Sequence, residues 1–476
     1  MWGLISAVLF MLVVYVLPTP TPFEHNGDTI PLTINGKACL AILAFAVTLW
    51  VSEAIPFAVT SLFVLLLIPV FGITDYATAV SAGFGNPIIT FFIGVSILSA
   101  GFTYSGLGTR LVLLMLRMVG TRTDRVLFGF LVLGAMLSMW ITDMAVAAMM
   151  MPLGVGVLRD ANLKPLGSNF GRSLMISCAY GPLIGGVGTP AGTAVNPIAL
   201  SYLRELADLD ISFVDWMMFG VPAVVMMLPL GWLVLLKVFP PEIEHLPVQM
   251  DEIDRRLQTL GPPKPVEVKT LGVFALTITL WLTAPLLSSL TGGVVNPPLQ
   301  AVGLFGGIAL FLPGINVLTW KQAQQDVDWG GVVLIVAGLS LGLVVFETGA
   351  ARWLAQVMLG NIGAVSGLFQ PFVVVLGVAG LHLLFSSNTV TGSIIIPILI
   401  ALSQDLGLDV WTLAAPAAFT SSLAFILVTE SPTNVVPYSA GFFSIRDMAK
   451  SGIWMTLAAA VCVTASITLV GLVISP

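Results

Sequence analysis

Trp140-Ile141-Thr142-Asp143-Met144, followed by Pro152, and Phe385-Ser386-Ser387-Asn388-Thr389, followed by Pro397, are the two stretches that decide how this chain folds. In each, a polar residue (Asp143 or Asn388) precedes the proline by nine positions, across a Met149-Met150-Met151 or an Ile394-Ile395-Ile396 triplet. A small polar tripeptide inside an apolar run supplies hydroxyl and amide groups plus unpaired N–H groups where a helix starts. Such a broken helix end favours an anion through both its N–H groups and its dipole. The flanks match as well: Ser105-Gly106 with Arg110 answers Thr348-Gly349 with Arg352, and Thr189-Pro190 with Asn196 answers Ser431-Pro432 with Asn434. The offsets are 245 at the polar turn, 243 at the upstream glycine and 242 at the downstream proline. Three ordered correspondences at nearly one offset point to two related halves with a site at their interface. Any one of them alone would be read as small residues packing helices and prolines kinking them.

The solvent for most of the chain is lipid. Of 476 residues 57% are hydrophobic and only 9% are charged, against about 25% in soluble proteins. Between Lys269 and Lys321 lie 51 residues without Asp, Glu, Lys or Arg, and between Arg352 and Asp405 lie 52. A crossing helix needs about 20 apolar residues, and backbone in lipid must satisfy its own hydrogen bonds, so these intervals hold helices and hairpins, with about eleven spans in all. The apolar run at 1–17 has no Lys or Arg before it and is read as a retained helix rather than a signal peptide. Ten charges in the 30 residues 240–269 mark a solvated linker between an N-terminal membrane half, 1–239, with its hairpin motif at 138–152, and a C-terminal half, 270–476, with its motif at 383–397. The composition excludes nucleic-acid binding, secretion and disorder. Cys39, Cys178 and Cys462 stand apart in apolar surroundings, so neither a disulfide framework nor a Cys/His metal centre is expected. The glycine-rich run 185–193 reads as an unwound stretch whose carbonyls face a cation.

Trp50-Val51-Ser52-Glu53-Ala54-Ile55-Pro56, the Ser387-Asn388-Thr389 motif, Gly188-Thr189-Pro190 and the run from Tyr438 to Met448 together resemble the divalent-anion:sodium symporter family, solute carrier family 13, with its sodium/dicarboxylate, sodium/citrate and sodium/sulfate carriers. The resemblance runs in order from about Leu40 to the C-terminus. It implies an all-α polytopic membrane protein of two inverted repeats, with eleven transmembrane helices and two re-entrant hairpins. It also implies a homodimer in which a transport domain slides against a scaffold domain as an elevator, in the plasma (inner) membrane. By the resemblance, Thr142, Asp143, Met144, Thr189, Pro190, Ser387, Asn388, Thr389, Ser431 and Pro432 bind substrate. Ser138, Thr142, Asp143, Gly188, Ser386, Asn388 and Glu430 hold or couple two sodium ions.

This chain departs from the family pattern twice. The first tip holds Thr142, Asp143 and Met144 in place of Ser-Asn-Thr, and the second unwound segment holds Glu430 where a small residue is usual. Asp143 is the only charge between Arg125 and Arg159, and Glu430 the only one between Asp409 and Arg446. A bare carboxylate in a membrane span costs about 2.5–3.5 kcal/mol on insertion scales, so each is expected to be paired, protonated or bound to a cation. The plainer role for either acid is a hydrogen bond to a nearby loop. Met144 removes a hydroxyl, so the substrate is expected to be smaller, less charged or asymmetrically held. Glu53 reads as a structural residue at a helix entry, His382 as a packing residue, Glu347 as a helix-end charge within reach of Arg352, and the methionine triplet as packing. Arg110, Arg117, Arg122 and Arg125 place the loop after Gly106 in the cytoplasm.

The leading reading is a secondary active transporter of small dianions, C4-dicarboxylates first, working by a cation-coupled elevator mechanism with sodium, or a proton, as the coupling ion and no other cofactor. The alternatives are a sodium-independent exchanger or a proton-coupled carrier using Asp143 and Glu430 and, more remotely, an ion channel. An enzyme is not expected, since no catalytic constellation accompanies the buried acids and no nucleotide-binding Gly-rich loop with Lys and Ser/Thr is present.

Overall fold

The computed structural model describes residues 2–20, 22–25, 28–247, 250–359, 362–363 and 365–473. Positions 248–249 of the linker and the ends of both halves, residues 1 and 474–476, lie outside them. The chain is helical almost throughout, as an apolar chain without backbone partners in its surroundings must be. One departure is a short antiparallel ribbon, Phe23–His25 with Asp28–Ile30, in which Phe23 stands opposite Ile30.

Seven helices among the described residues are long and apolar enough to cross a membrane: Ile34–Ser52, Tyr76–Ser105 (broken once, at residues 85–87), Phe213–Val238, Pro265–Leu290, Trp329–Glu347, Asn388–Leu406 and Ile445–Gly471. Five shorter apolar helices accompany them. Counting apolar length alone predicts more full spans, because several intervals are divided at polar turns. Gln370–His382 has 13 residues, about 20 Å of helix at 1.5 Å per residue, which falls short of a hydrocarbon layer of about 30 Å. Val410–Thr420 and Pro432–Tyr438 are likewise separate pieces of one interval, from Asp409 to Arg446, whose single charge is Glu430.

Side chains set where helices begin. Ser168 accepts from Gly171 N at 2.9 Å and Asp409 from Thr412 N at 3.0 Å, and Ser212 with Asp215 and Ser444 with Asp447 form capping boxes. Helix faces meet through glycine notches. A Cβ on Gly338 would lie 2.4 Å from Ser393 Oγ, and one on Gly342 would lie 2.1 Å from the Tyr202 hydroxyl, which donates to Gly338 O at 2.6 Å. Small residues here let helix Trp329–Glu347 approach helices Val195–Ala207 and Asn388–Leu406 closely.

The charged segment 240–269 is fastened to helices that precede it in the chain. Glu242 accepts from the Ser168 hydroxyl and from Phe170 N at 3.0 Å. The linker carries helix Met250–Leu260, whose Asp254 pairs with Arg117 at 3.1 Å and whose Arg256 pairs with Asp160 at 2.8 Å. Glu267, only 4% exposed, receives Arg110 Nε at 3.0 Å, while the same guanidinium donates to Gly261 O at 3.0 Å. A solvated linker was the expectation; an acid this deeply buried at the head of helix Pro265–Leu290 needs its arginine.

Candidate functional site

Each polar turn singled out in the sequence is the bend of a helical hairpin. The first joins Thr123–Ser138 to Asp143–Asp160, and the second joins Gln370–His382 to Asn388–Leu406. Asp143 and Asn388 are therefore the first residues of their second arms, where the positive end of the helix dipole lies. Two broken helices face them. Asn169–Gly186 resumes as Val195–Ala207, and Val410–Thr420 resumes as Pro432–Tyr438 after a short 3-10 turn at Val428–Glu430.

An asparagine braces each break. Asn196 Nδ2 donates to Gly186 O and Thr189 O, both at 2.7 Å, and Asn434 Nδ2 donates to Ala424 O at 2.7 Å and Leu427 O at 3.0 Å. The acceptors stand ten and seven residues upstream in both cases, so the two breaks are built alike. They align at an offset of 238 (434 − 196) rather than the 242 read from the Thr-Pro and Ser-Pro pairs. On this register Leu427 answers Thr189, and Glu430 answers Gly192. Sequence reading used Asn196 and Asn434 only as repeat markers; their recurrence at each break was the signal of a structural job.

The first tip is held from two directions. Asp143 N donates to Gly192 O at 3.1 Å, Thr142 N donates to Ser99 Oγ at 3.1 Å from helix Ile88–Ser105, and the Thr189 hydroxyl donates to Met139 O. Asp143 Oδ1 accepts from Met144 N at 2.8 Å. The tip amides of residues 142, 143 and 144 are thus all occupied, which differs from the open helix start expected. The aspartate takes one of them by folding over the amide that follows it, and Ser99 Oγ and Gly192 O take the other two. Its other oxygen, Oδ2, is buried without a hydrogen-bond partner, and so are Ser138 Oγ and Asn196 Oδ1. These oxygens belong to one neighbourhood: a Cβ on Gly192 would lie 2.5 Å from both Gly186 O and Ser138 O, and one on Gly186 would lie 3.6 Å from Ser138 Oγ. Only glycine at 192 lets the strands of this knot approach so closely. Gly188 and Pro190 are buried beside Thr189, Met144 is 48% exposed, and Thr433 of the second broken helix faces Asp143.

At the second tip Ser387 caps the helix start, accepting from Val390 N at 3.4 Å. The amides of Asn388 and Thr389 have no partner among the described residues, so this tip keeps the free N–H groups that the first has lost. Ser386 is drawn elsewhere, donating to Trp50 O at 3.4 Å, so the Trp50–Pro56 motif abuts this tip. Glu53 takes a left-handed conformation, φ 47°, at the end of helix Ile34–Ser52 and is exposed, in keeping with a structural role. Glu430, 3% exposed, places its two oxygens on Ile426 N at 3.2 Å and Leu427 N at 2.9 Å, holding its own loop. Ser431 Oγ accepts from Thr433 N at 3.3 Å, and Pro432 opens the following helix in an exposed position. His382 is buried with its ring against the main chain of Thr420 and Glu430 and the side chain of Asn388. Arg352 pairs with Asp405 on the second hairpin's long arm, while Glu347 borders an open cleft with Thr33 and Asn35.

An aromatic stack leaves the first tip. Trp140 lies parallel to Phe213 at 6.3 Å between centroids, and Phe213 lies parallel to Trp281 at 4.7 Å. Trp281 in turn stands on helix Pro265–Leu290 and donates to Leu299 O at 3.0 Å.

The arrangement offers two complementary chemistries. Three buried, unpartnered oxygens, one of them a carboxylate's, suit a hard cation, which prefers carboxylate, hydroxyl and amide oxygens. Two free amides at a helix start suit an anion's oxygens.

Comparison with known proteins agrees over nearly the whole length. The sodium:sulfate symporter transmembrane region family matches residues 1–474. The sodium-dependent dicarboxylate transporter SdcS of Staphylococcus saprophyticus is 34% identical over 448 residues, covering 90% of this chain and 84% of that protein. SdcS of Staphylococcus aureus strain USA300 is 32% identical over 462 residues, covering 93% and 86%. Among solved structures, the crystal structure of the Alcanivorax borkumensis YdaH transporter, described as revealing an unusual topology, superposes with a TM-score of 0.56 at 14% identity, over 98% of this chain and 97% of that one.

Proposed function

The chain belongs to the sodium:sulfate symporter family, the divalent-anion:sodium symporters, and from that premise we propose that it is a sodium-coupled transporter of C4-dicarboxylates such as succinate. It is an integral, multi-pass membrane protein, and we place it in the plasma (inner) membrane. The names of the SdcS relatives support the substrate and the coupling ion. The observation that carries the mechanism is the division of labour between the tips: unpartnered oxygens around Asp143, free amides at Asn388 and Thr389.

Sodium bound by Asp143 Oδ2, Ser138 Oγ and Asn196 Oδ1 cancels the one formal charge of the first tip. A substrate carboxylate then docks on the amides of Asn388 and Thr389 and the hydroxyls of the second tip. Without sodium the dianion meets a bare aspartate, and two like charges at 4 Å repel by about 4 kcal/mol at an effective dielectric near 20. That repulsion is the coupling: substrate affinity follows occupancy of the cation cage. Thr433, which faces Asp143, and Asn434, which braces the second break, tie the first tip and the second break to one short helix, Pro432–Tyr438. In this reading the protein works as a homodimer, and the hairpins with their broken helices move as a unit past scaffold helices such as Pro265–Leu290 and Trp329–Glu347.

Uptake of labelled succinate into proteoliposomes, with and without an inward sodium gradient, tests the proposal. Gradient-dependent uptake that Asn388→Ala abolishes is expected. Uptake indifferent to sodium would overturn the coupling in favour of exchange or proton coupling, and uptake unaffected by Asn388→Ala would overturn the site.

A further inference from the structure

Two bodies can be told apart by where their helices touch. A Cβ on Gly83 would lie 2.3 Å from Val336 O, and the Ser340 hydroxyl donates to Ala79 O at 2.8 Å, so helix Tyr76–Phe84 belongs with helix Trp329–Glu347. Helix Val195–Ala207 belongs with the hairpins. Gln404, on the second hairpin's long arm, donates to its Leu206 O at 2.8 Å, and its own Asn196 braces the first break.

Side chains of this one helix reach from the second body to the first. The fully buried Tyr202 hydroxyl donates to Gly338 O at 2.6 Å. Asn86, in the break between Tyr76–Phe84 and Ile88–Ser105, donates from Nδ2 to Ser201 Oγ at 2.7 Å and to Glu205 Oε1 at 2.5 Å, while its Oδ1 accepts from Ile88 N at 3.0 Å. The notch that receives the tyrosine is short. Gly338 and Gly342 lie one turn apart on one face of helix Trp329–Glu347, bounded on that face by Leu334 and Phe346. A Cβ on Gly342 would lie 2.1 Å from the hydroxyl oxygen of Tyr202 and 2.5 Å from its Cζ. Displacing helix Val195–Ala207 by one turn, about 5.4 Å, parts the hydroxyl from Gly338 O and breaks both Asn86 bonds.

Release does not strand the hydroxyl. It also faces Ser393 O at 3.3 Å, on the hairpin arm that would travel with it, and that carbonyl lacks its helical donor because residue 397 is proline. The proline nine residues after Asn388 thus leaves an acceptor open beside the tyrosine.

We propose that helix Val195–Ala207 carries a catch that holds the moving unit in the observed position, with Tyr202 as its positioning residue. The hydroxyl donates to Gly338 O while seated and turns to Ser393 O, within its own unit, once displaced. This rests on the sliding of the hairpins and broken helices proposed above.

Maleimide labelling of full-length Ser201→Cys protein in nanodiscs tests the catch, since position 201 is buried against Asn86 while the catch is seated. Tyr202→Phe removes a short hydrogen bond from the seated position and a longer one from the displaced position, so the labelling rate is expected to rise about threefold. Cys178, buried within helix Asn169–Gly186, is the internal control, and its labelling should stay unchanged. No rise at position 201, or an equal rise at Cys178, would overturn the catch. Asn86→Cys serves as the second reporter should Ser201→Cys fail to fold. With Tyr202 in place, labelling at position 201 that ignores added sodium and succinate would overturn the sliding itself.

Discussion

Replacing Asp143 by asparagine removes one charge and almost nothing else. The carboxylate is 7% exposed, no other Asp, Glu, Lys or Arg lies between Arg125 and Arg159, and one oxygen already accepts from Met144 N at 2.8 Å. An amide oxygen keeps that bond. What disappears is the attraction between Oδ2 and sodium, about 4 kcal/mol at 4 Å with an effective dielectric near 20, or roughly three decades of affinity at 1.4 kcal/mol per decade. Relief of the empty carboxylate's own burial cost works in the opposite sense for the unliganded protein, which should unfold at a higher temperature in the variant. Two signs are therefore expected together: Asp143→Asn melts later than wild type without sodium, and sodium no longer stabilises it. In uptake assays the sodium concentration for half-maximal transport should rise at least about tenfold. A variant that melts earlier without sodium, with half-saturation unchanged, would show that Asp143 is a loop-holding residue and refute the cage.

Three further outcomes follow from the packing. Asn434→Ala removes hydrogen bonds of 2.7 and 3.0 Å and orphans the carbonyls of Ala424 and Leu427, so it should cost about 2–4 kcal/mol in thermal unfolding, and Asn196→Ala a similar amount; a loss below about 1 kcal/mol in either would contradict the bracing role. Arg110→Met leaves Glu267 buried without its partner and should cost about 3–5 kcal/mol, most of which the double change Arg110→Met, Glu267→Gln restores in the same melt. Gly192→Ala sets a methyl 2.5 Å from two main-chain oxygens, and detergent-extracted protein should lose its monodisperse peak in size-exclusion chromatography.

The hairpins were legible because their signal is local. Nine-residue spacing to Pro152 and Pro397 places Asp143 and Asn388 at matching helix starts, and both stand there. The breaks were legible as glycine- or proline-bearing segments, but their register was not. Pairing Thr189-Pro190 with Ser431-Pro432 matches residue types, whereas the Asn196 and Asn434 hydrogen bonds match geometry, and the two differ by four residues. Glu430 was read as a cation residue or a loop holder, and which of these its carboxylate serves depends on where residues 426 and 427 point their amides. Ser99 and Thr433 come to the first tip from other helices. Such contacts depend on tertiary packing, which has no periodicity to read. Arg352, paired in the sequence reading with nearby Glu347, reaches instead to Asp405, over fifty residues away, because the hairpin arm brings that carboxylate alongside.

The parallel rings of Trp140, Phe213 and Trp281 connect the first tip to helix Pro265–Leu290. Indole emission depends on what lies against the ring, and Trp140 sits within the bend that changes position if the hairpin travels. Displacement of the tip relative to that helix must part at least one pair of rings in the stack. If the hairpin moves as proposed, the stack serves as an optical reporter of that movement, read in unlabelled protein as a change in tryptophan fluorescence when sodium and substrate are added together.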